Sequence, residues 1–145
     1  MKTVCKRLGS GLLALMLLSA TMLSTCSAVV YASDYFARTE VWCSAKGNGK
    51  ITINYDIDAT RTMDLLGVYS VTIYEQQSSG SYKNVKVYDW DNVDGLTVAN
   101  AYTTDGTLWY QGKAGVKYYA TVRCYAKKGT ESAILPQTTD IITAT

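Results

Sequence analysis

The segment from Val116 to Ala126, V-K-Y-Y-A-T-V-R-C-Y-A, alternates in character from one residue to the next. On an extended chain one face carries Tyr118, Ala120, Val122, Cys124 and Ala126. The opposite face carries Lys117, Tyr119, Thr121, Arg123 and Tyr125. Because side chains of a strand point alternately to opposite faces, this pattern predicts a half-buried β-strand. We predict that it is the central strand of a β-sandwich.

The sequence on both sides of this segment predicts further short strands, giving seven or eight in total, with a turn about every 8 to 12 residues. In the strand at 51–58 the residues Ile51, Ile53, Tyr55 and Ile57 are expected to face inward. At 68–76 the inward row is Tyr69, Val71 and Ile73, and at 82–90 it contains Val85 and Val87. The segment 59–66 is a loop or one helical turn, and 103–106 is a turn.

Residues 1–32 have the order of a secretory signal peptide. Basic residues come first, an apolar run from Leu8 to Leu23 follows, and Val30-Tyr31-Ala32 offers a cleavage site. The apolar run is short for a membrane span of about 20 residues, so we expect no stable membrane insertion after cleavage. Residues 33–145 then form a single secreted β-sandwich domain. Alternatively, Leu23-Ser24-Thr25-Cys26 resembles a bacterial lipobox, which would tether the protein to a membrane through Cys26.

Composition excludes several functions. Three of the 14 Lys and Arg residues and none of the 12 Asp and Glu residues lie in the predicted signal, which leaves the mature domain with a net charge of −1. This charge does not favour nucleic acid as a partner. The chain contains no histidine, so Ser-His-Asp and Cys-His nucleophile activation are excluded. We therefore predict a non-enzymatic protein without a cofactor.

After removal of the signal, Cys43 and Cys124 are the only cysteines. In an oxidising exterior, two cysteines of a small domain are most simply bonded to each other. Closing a loop of about 80 residues would contribute about 4 kcal/mol in the chain-entropy model. The alternative is two free buried thiols.

The central strand resembles strand F of the fibronectin type III domain, with Gly115, Tyr118, Ala120, Val122 and Cys124 on the family pattern and Gly129 at the next turn. Lys50 to Tyr55 resembles strand B, and Tyr69-Ser70-Val71 resembles the start of strand C. The resemblance implies an immunoglobulin-like, or fibronectin type III-like, β-sandwich. The whole pattern also resembles small secreted proteins of unknown function from Gram-positive bacteria.

Aromatic residues supply the candidate binding site. The mature chain holds eleven tyrosines and three tryptophans, residue types that suit recognition surfaces and sugar stacking. The candidate face comprises Tyr119, Arg123, Tyr125, Tyr74 and Trp90. We predict a binding or surface-interaction module whose partner is a glycan or a surface protein. The alternatives are a small carbohydrate-binding protein that uses Trp90, Trp109 and neighbouring tyrosines, and a structural or adhesive envelope component.

The loop from Asp89 to Gly95 is a candidate calcium site through Asp89, Asp91 and Asp94, because clustered oxygen ligands suit a hard cation. The segment departs from the EF-hand pattern, with a valine at its fifth position. Asp and Asn also favour turns by bonding their own backbone, and we expect that role here.

Overall fold

The computed structural model describes residues 34–145, so the predicted signal peptide and Cys26 lie outside the described part of the chain. The domain is all-β, as predicted, with seven antiparallel strands in one curled sheet. They are β1 (Phe36–Ala45), β2 (Lys50–Gln76), β3 (Tyr82–Asp89), β4 (Thr97–Gln111), β5 (Lys117–Lys128), β6 (Glu131–Thr138) and β7 (Ile142–Thr143). Within residues 34–145, no helix has the length and apolar character needed to cross a membrane.

The long strand β2 connects the two layers of the curled sheet. Its first half pairs with β1 along one edge and with β4 along the other. Its second half pairs with β5 along the first of these edges and with β3 along the second. We call β1, β4 and the first half of β2 the first layer, and β3, β5, β6 and the second half of β2 the second layer. This curled arrangement is compatible with a β-sandwich.

The inward rows of both layers form the core. Tyr118, Ala120, Val122, Cys124 and Ala126 of β5 are fully buried, as predicted. The predicted inward row of the first half of β2, Ile51, Ile53, Tyr55 and Ile57, is also buried. Burial of each large aliphatic side chain contributes about 1.5–3 kcal/mol, so these two rows account for much of the driving force for folding.

Two segments that we predicted as irregular belong to strands. The segment 59–66 lies inside β2, where the register against β4 shifts between Asp58 and Met63 as β2 passes from one layer to the other. The alternation of buried and exposed residues fails in this segment because the side of β2 that faces the core changes there. The segment 103–106 lies inside β4, and Gly106 is required because a Cβ at this position would overlap the ring of Tyr55. The sequence Thr-Thr-Asp-Gly resembles a turn because the packing of Tyr55 against Gly106 is not visible from the sequence.

One side-chain and one backbone hydrogen bond close the sheet on itself. The Gln137 amide donates to Thr39 Oγ1 at 3.1 Å, which joins β6 to the free edge of β1. At the end of the chain, the Gly49 N–H donates to the carbonyl of Thr145 at 2.8 Å. The first hairpin is thus held against the second layer without a covalent cross-link.

Among residues 34–145 no disulfide is formed, and the predicted partners Cys43 and Cys124 are free thiols. The Cys43 sulfur lies 3.3 Å from Thr139 Oγ1, which accepts the Ala120 N–H at 3.0 Å. Cys43 therefore sits level with Ala120, four residues and about 13 Å along β5 from Cys124. A disulfide needs Cα atoms within about 7 Å. The sequence predicted the pairing from the cysteine count alone, which does not indicate where each cysteine lies along its strand.

Candidate binding face

The outer surface of the second layer carries six aromatic side chains and one arginine, which we call the aromatic face. Its members are Tyr69, Tyr74, Tyr82, Trp90, Tyr119, Arg123 and Tyr125. All five residues of the predicted binding face belong to it. Within it the rings form two groups, one at each end of β5.

The first group surrounds Tyr69. Its ring centroid lies 6.3 Å from that of Trp90 and 5.9 Å from that of Tyr125, and Trp90 and Tyr125 are 6.5 Å apart. The Arg123 guanidinium lies over the Tyr69 ring at 5.0 Å from its centroid. Such a cation–π contact contributes about 0.5–1 kcal/mol at an exposed site and fixes the orientation of the guanidinium.

The second group surrounds Tyr119. The Tyr74 ring stacks on it with centroids 4.7 Å apart, and the Tyr82 ring meets it edge-on at 4.9 Å. Tyr74 is the cross-strand partner of Tyr119 in the pairing of β2 with β5. Because aromatic pairs across strands stabilise one another, these rings are held in place before any ligand binds.

Tyr69 was predicted to face the core, and this prediction was wrong. Val68 pairs with Cys124 and Ser70 pairs with Arg123, so Tyr69 is an extra residue that has no partner on β5. An extra residue of this kind is a β-bulge, and it changes which side chains point outward. The bulge turns Tyr69 out beside Tyr125, and Ser70 is buried beneath the group.

A second bulge lies in β3 and corrects another prediction. Ile73 pairs with Lys86 and Tyr74 pairs with Asn84, which leaves Val85 unpaired. Val87 therefore faces outward and is 40% exposed, whereas we expected it inside. Tyr88 instead points inward, and its hydroxyl donates to the Trp109 carbonyl at 2.9 Å. Tyr82 precedes the bulge and keeps the outward side that alternation gives it, and its ring meets that of Tyr119 there.

A shallow groove continues the aromatic face beyond β5. It has a volume of ≈ 520 Å³ and is lined by Tyr119, Thr121, Thr138, Thr139, Asp140 and Ile141. The Thr139 hydroxyl is occupied within the fold, since it accepts the Ala120 N–H and donates to the Asp140 carbonyl at 3.1 Å. The groove is open, so it suits an extended ligand better than a small enclosed one.

A polar cluster supports the start of β5; Glu75 and Tyr118 are its buried members, and Lys113 is exposed. The Tyr118 hydroxyl donates to Glu75 Oε2 at 2.7 Å and accepts the Lys113 N–H at 2.9 Å, while Lys113 Nζ lies 2.8 Å from Glu75 Oε1. The hydrogen bonds from Lys113 and Tyr118 hold the pKa of Glu75 below its usual value. Burial, together with the bond to Glu75, raises the pKa of Tyr118 to about 12.

The candidate calcium loop folds as a turn closed by its own backbone. The Asp89 carbonyl accepts the N–H groups of Asn92 and Val93, each at 3.1 Å, and Asn92 Oδ1 accepts the Asp89 N–H at 3.3 Å. Asp91 and Asp94 are exposed. In the described part of the chain, no group of three acidic or cysteine side chains is arranged to hold a metal ion.

The structure does not bring Trp90 and Trp109 together. Trp109 pairs with Thr52 and points outward from the first layer, whereas Trp90 lies on the outside of the second layer. The two tryptophans therefore face outward from different layers. Sequence alone missed this separation because it does not indicate which layer each strand joins.

Comparison with known proteins finds no family model that matches the chain and no curated protein similar to it.

Proposed function

We propose that the protein is an exported, non-enzymatic domain of the immunoglobulin-like class, and that it binds a partner protein at the cell surface through the aromatic face. The observation that carries this function is the convergence of six aromatic rings and Arg123 on one outer surface. Tyr, Trp and Arg are enriched in protein interfaces and dominate their binding energy. The rings pack against each other, so little conformational entropy is lost when a partner binds.

The order of strand pairing supports the immunoglobulin-like assignment. In that fold, strands A, B and E form one sheet and C, F and G form the other. Here β1, the first half of β2 and β4 match A, B and E, while the second half of β2, β5 and β6 match C, F and G. The difference is that B and C are halves of one continuous strand. The position of β3 beside C matches the additional strand of fibronectin type III-like domains.

The buried cluster gives independent support for this assignment. Immunoglobulin-like domains carry a tyrosine near the start of strand F whose hydroxyl bonds to the backbone a few residues upstream. Tyr118 lies near the start of β5, and its hydroxyl bonds to the backbone of Lys113, five residues upstream. Gly112 allows the contact, because a Cβ there would lie 2.7 Å from the Tyr118 ring.

Photo-crosslinking tests the binding function. A benzophenone amino acid at Tyr125 should yield a defined protein adduct on intact cells, and the same group at Tyr102 should not. Tyr102 is a matched control because it is 63% exposed and is not part of the aromatic face. Unlabelled protein should compete, and Trp90→Ala should compete about tenfold less well, as expected for an interface residue worth about 1.4 kcal/mol. Equal adducts from both positions would contradict the proposal.

Export is a separate part of the proposal and rests on the sequence of residues 1–32. We expect the mature chain to begin at Ser33 and to be released from the cell. The mass of the native protein distinguishes release from tethering. A tethered chain would begin at Cys26, and its mass would be larger by residues 26–32 and the attached acyl groups. A full-length chain would contradict both alternatives.

A further inference from the structure

The outer surface of the first layer carries a second arrangement that the proposed function does not use. Trp42 of β1 pairs with Asn54 of β2, and Trp109 of β4 pairs with Thr52 of β2. Asn54 and Thr52 are two residues apart, so both point outward, and both tryptophans point outward beside them. The two indoles are among the exposed large hydrophobic side chains of residues 34–145, at 44% for Trp42 and 60% for Trp109.

The spacing of the tryptophans follows from the sheet. They lie two strands apart and are offset by two residues, which places their Cα atoms about 12 Å apart. Two rings of one oligosaccharide can span this separation. The Lys50 ammonium lies 4.9 Å from the centroid of the Trp109 ring, so it holds the indole from one side.

A row of uncharged polar groups fills the space between the two indoles. Thr107 Oγ1 donates to Asn54 Oδ1 at 2.9 Å, and the Asn54 amide donates to the Trp42 carbonyl at 3.3 Å. Thr52 is buried beneath them and forms the floor. These bonds fix the Asn54 amide, while the lone pairs of the Thr107 hydroxyl remain able to accept hydrogen bonds from a ligand.

Three carboxylates of this surface are gathered around one guanidinium, because Arg38 binds Glu40 at 3.2 Å and both Asp56 and Asp58 at 2.8 Å toward the end of β1 and β2 away from Trp109. The Lys50 ammonium lies against the Trp109 ring. Between the two indoles the strip offers the neutral hydrogen-bonding groups of Asn54 and Thr107. This chemistry matches an uncharged ligand with apolar faces and many hydroxyls.

We propose that the Trp42–Trp109 strip is a binding site for a neutral polysaccharide chain. The chain stacks a sugar ring on each indole, and its intervening hydroxyls bond to Thr107 and Asn54. This site lies on the surface opposite the aromatic face, so the two surfaces allow the domain to bind a glycan and a protein partner at the same time.

Affinity electrophoresis in native gels tests the site, with hydroxyethyl cellulose, barley β-glucan and glucomannan as neutral probes and polygalacturonate as an anionic probe. We expect retardation in at least one neutral polymer. Trp42→Ala and Trp109→Ala should each weaken apparent affinity about tenfold or more, as expected for an anchoring aromatic residue. Tyr102→Ala is the matched control and should migrate like the unmodified protein, because Tyr102 is 63% exposed and belongs neither to the strip nor to the aromatic face.

Three results would overturn the proposal. The first is no retardation in any of the neutral polymers. The second is retardation that Trp90→Ala abolishes as strongly as Trp109→Ala, which would place the glycan on the aromatic face. The third is retardation by polygalacturonate alone, which indicates charge rather than stacking. Trp109→Phe keeps a stacking ring, so it should retain most of the binding, and equal thermal melting of all variants would exclude misfolding as the cause.

Discussion

Tyr118→Phe removes one oxygen atom from the buried cluster and tests whether that cluster stabilises the domain. The change deletes the donor to Glu75 Oε2, and a hydrogen bond to a charged group contributes about 1.5–3 kcal/mol. It also leaves the Lys113 N–H without its acceptor, which adds about 1 kcal/mol. We therefore expect the free energy of unfolding to fall by about 3 kcal/mol, a large share of the about 5–15 kcal/mol typical of a domain.

Equilibrium unfolding in urea measures this change, and the m-value should stay constant because the surface exposed on unfolding is nearly the same. Tyr110→Phe is the matched control. Tyr110 packs edge-on against Tyr118 with ring centroids 6.0 Å apart, and its removal of a half-buried hydroxyl should cost less than about 0.5 kcal/mol. If the two variants lose the same free energy, the hydroxyl of Tyr118 does not stabilise the fold and our reasoning is wrong.

The pH dependence of the free energy of unfolding gives a second test of the Glu75–Tyr118 hydrogen bond. The pKa of Glu75 is lowered in the folded state, so its stabilising contribution is present above its ordinary pKa of 4.5 and is lost as pH falls through the folded value. The pKa of Tyr118 is raised from 10.0 to about 12, so its contribution is present below pH 10 and is lost as pH rises towards 12. The difference in the free energy of unfolding between Tyr118→Phe and the unmodified protein should be largest near neutral pH and should decrease at both lower and higher pH.

Three further results are expected. In unfolded protein a thiol reagent should label both Cys43 and Cys124 without added reductant. In native protein Cys124 should not react, because burial raises the pKa of its thiol to about 12. If no thiol is labelled after unfolding, the two cysteines form a disulfide. Gly106→Ala should destabilise by about 1–3 kcal/mol in urea, and Tyr55→Leu in the same chain should recover part of the loss by removing the overlap. Val87→Ala should cost less than about 0.5 kcal/mol, and a loss above 2 kcal/mol would show that Val87 faces the core.

Most of the fold could be predicted from alternation, since local side-chain pattern and strand formation are directly coupled. The inward rows of β5 and of the first half of β2 follow from the sequence without error, because no bulge interrupts them. The continuity of β2 and β4 could not be predicted. Polar residues at 60–62 and a glycine at 106 resemble breaks, and the packing of Tyr55 against Gly106 shows why β4 continues.

The aromatic face shows where alternation stops being sufficient. One extra residue in a strand moves every following side chain to the opposite face, and a bulge adds such a residue without a strong sequence signal. Tyr69 and Val87 were assigned to the wrong side for this reason, whereas Tyr119, Arg123 and Tyr125 lie on an uninterrupted strand and were assigned correctly. Both bulges lie beside the aromatic face, and each changes which side chains are exposed there. The irregularities that sequence prediction misses thus assemble the aromatic face, because the bulge at Tyr69 supplies the ring on which Trp90, Tyr125 and Arg123 converge.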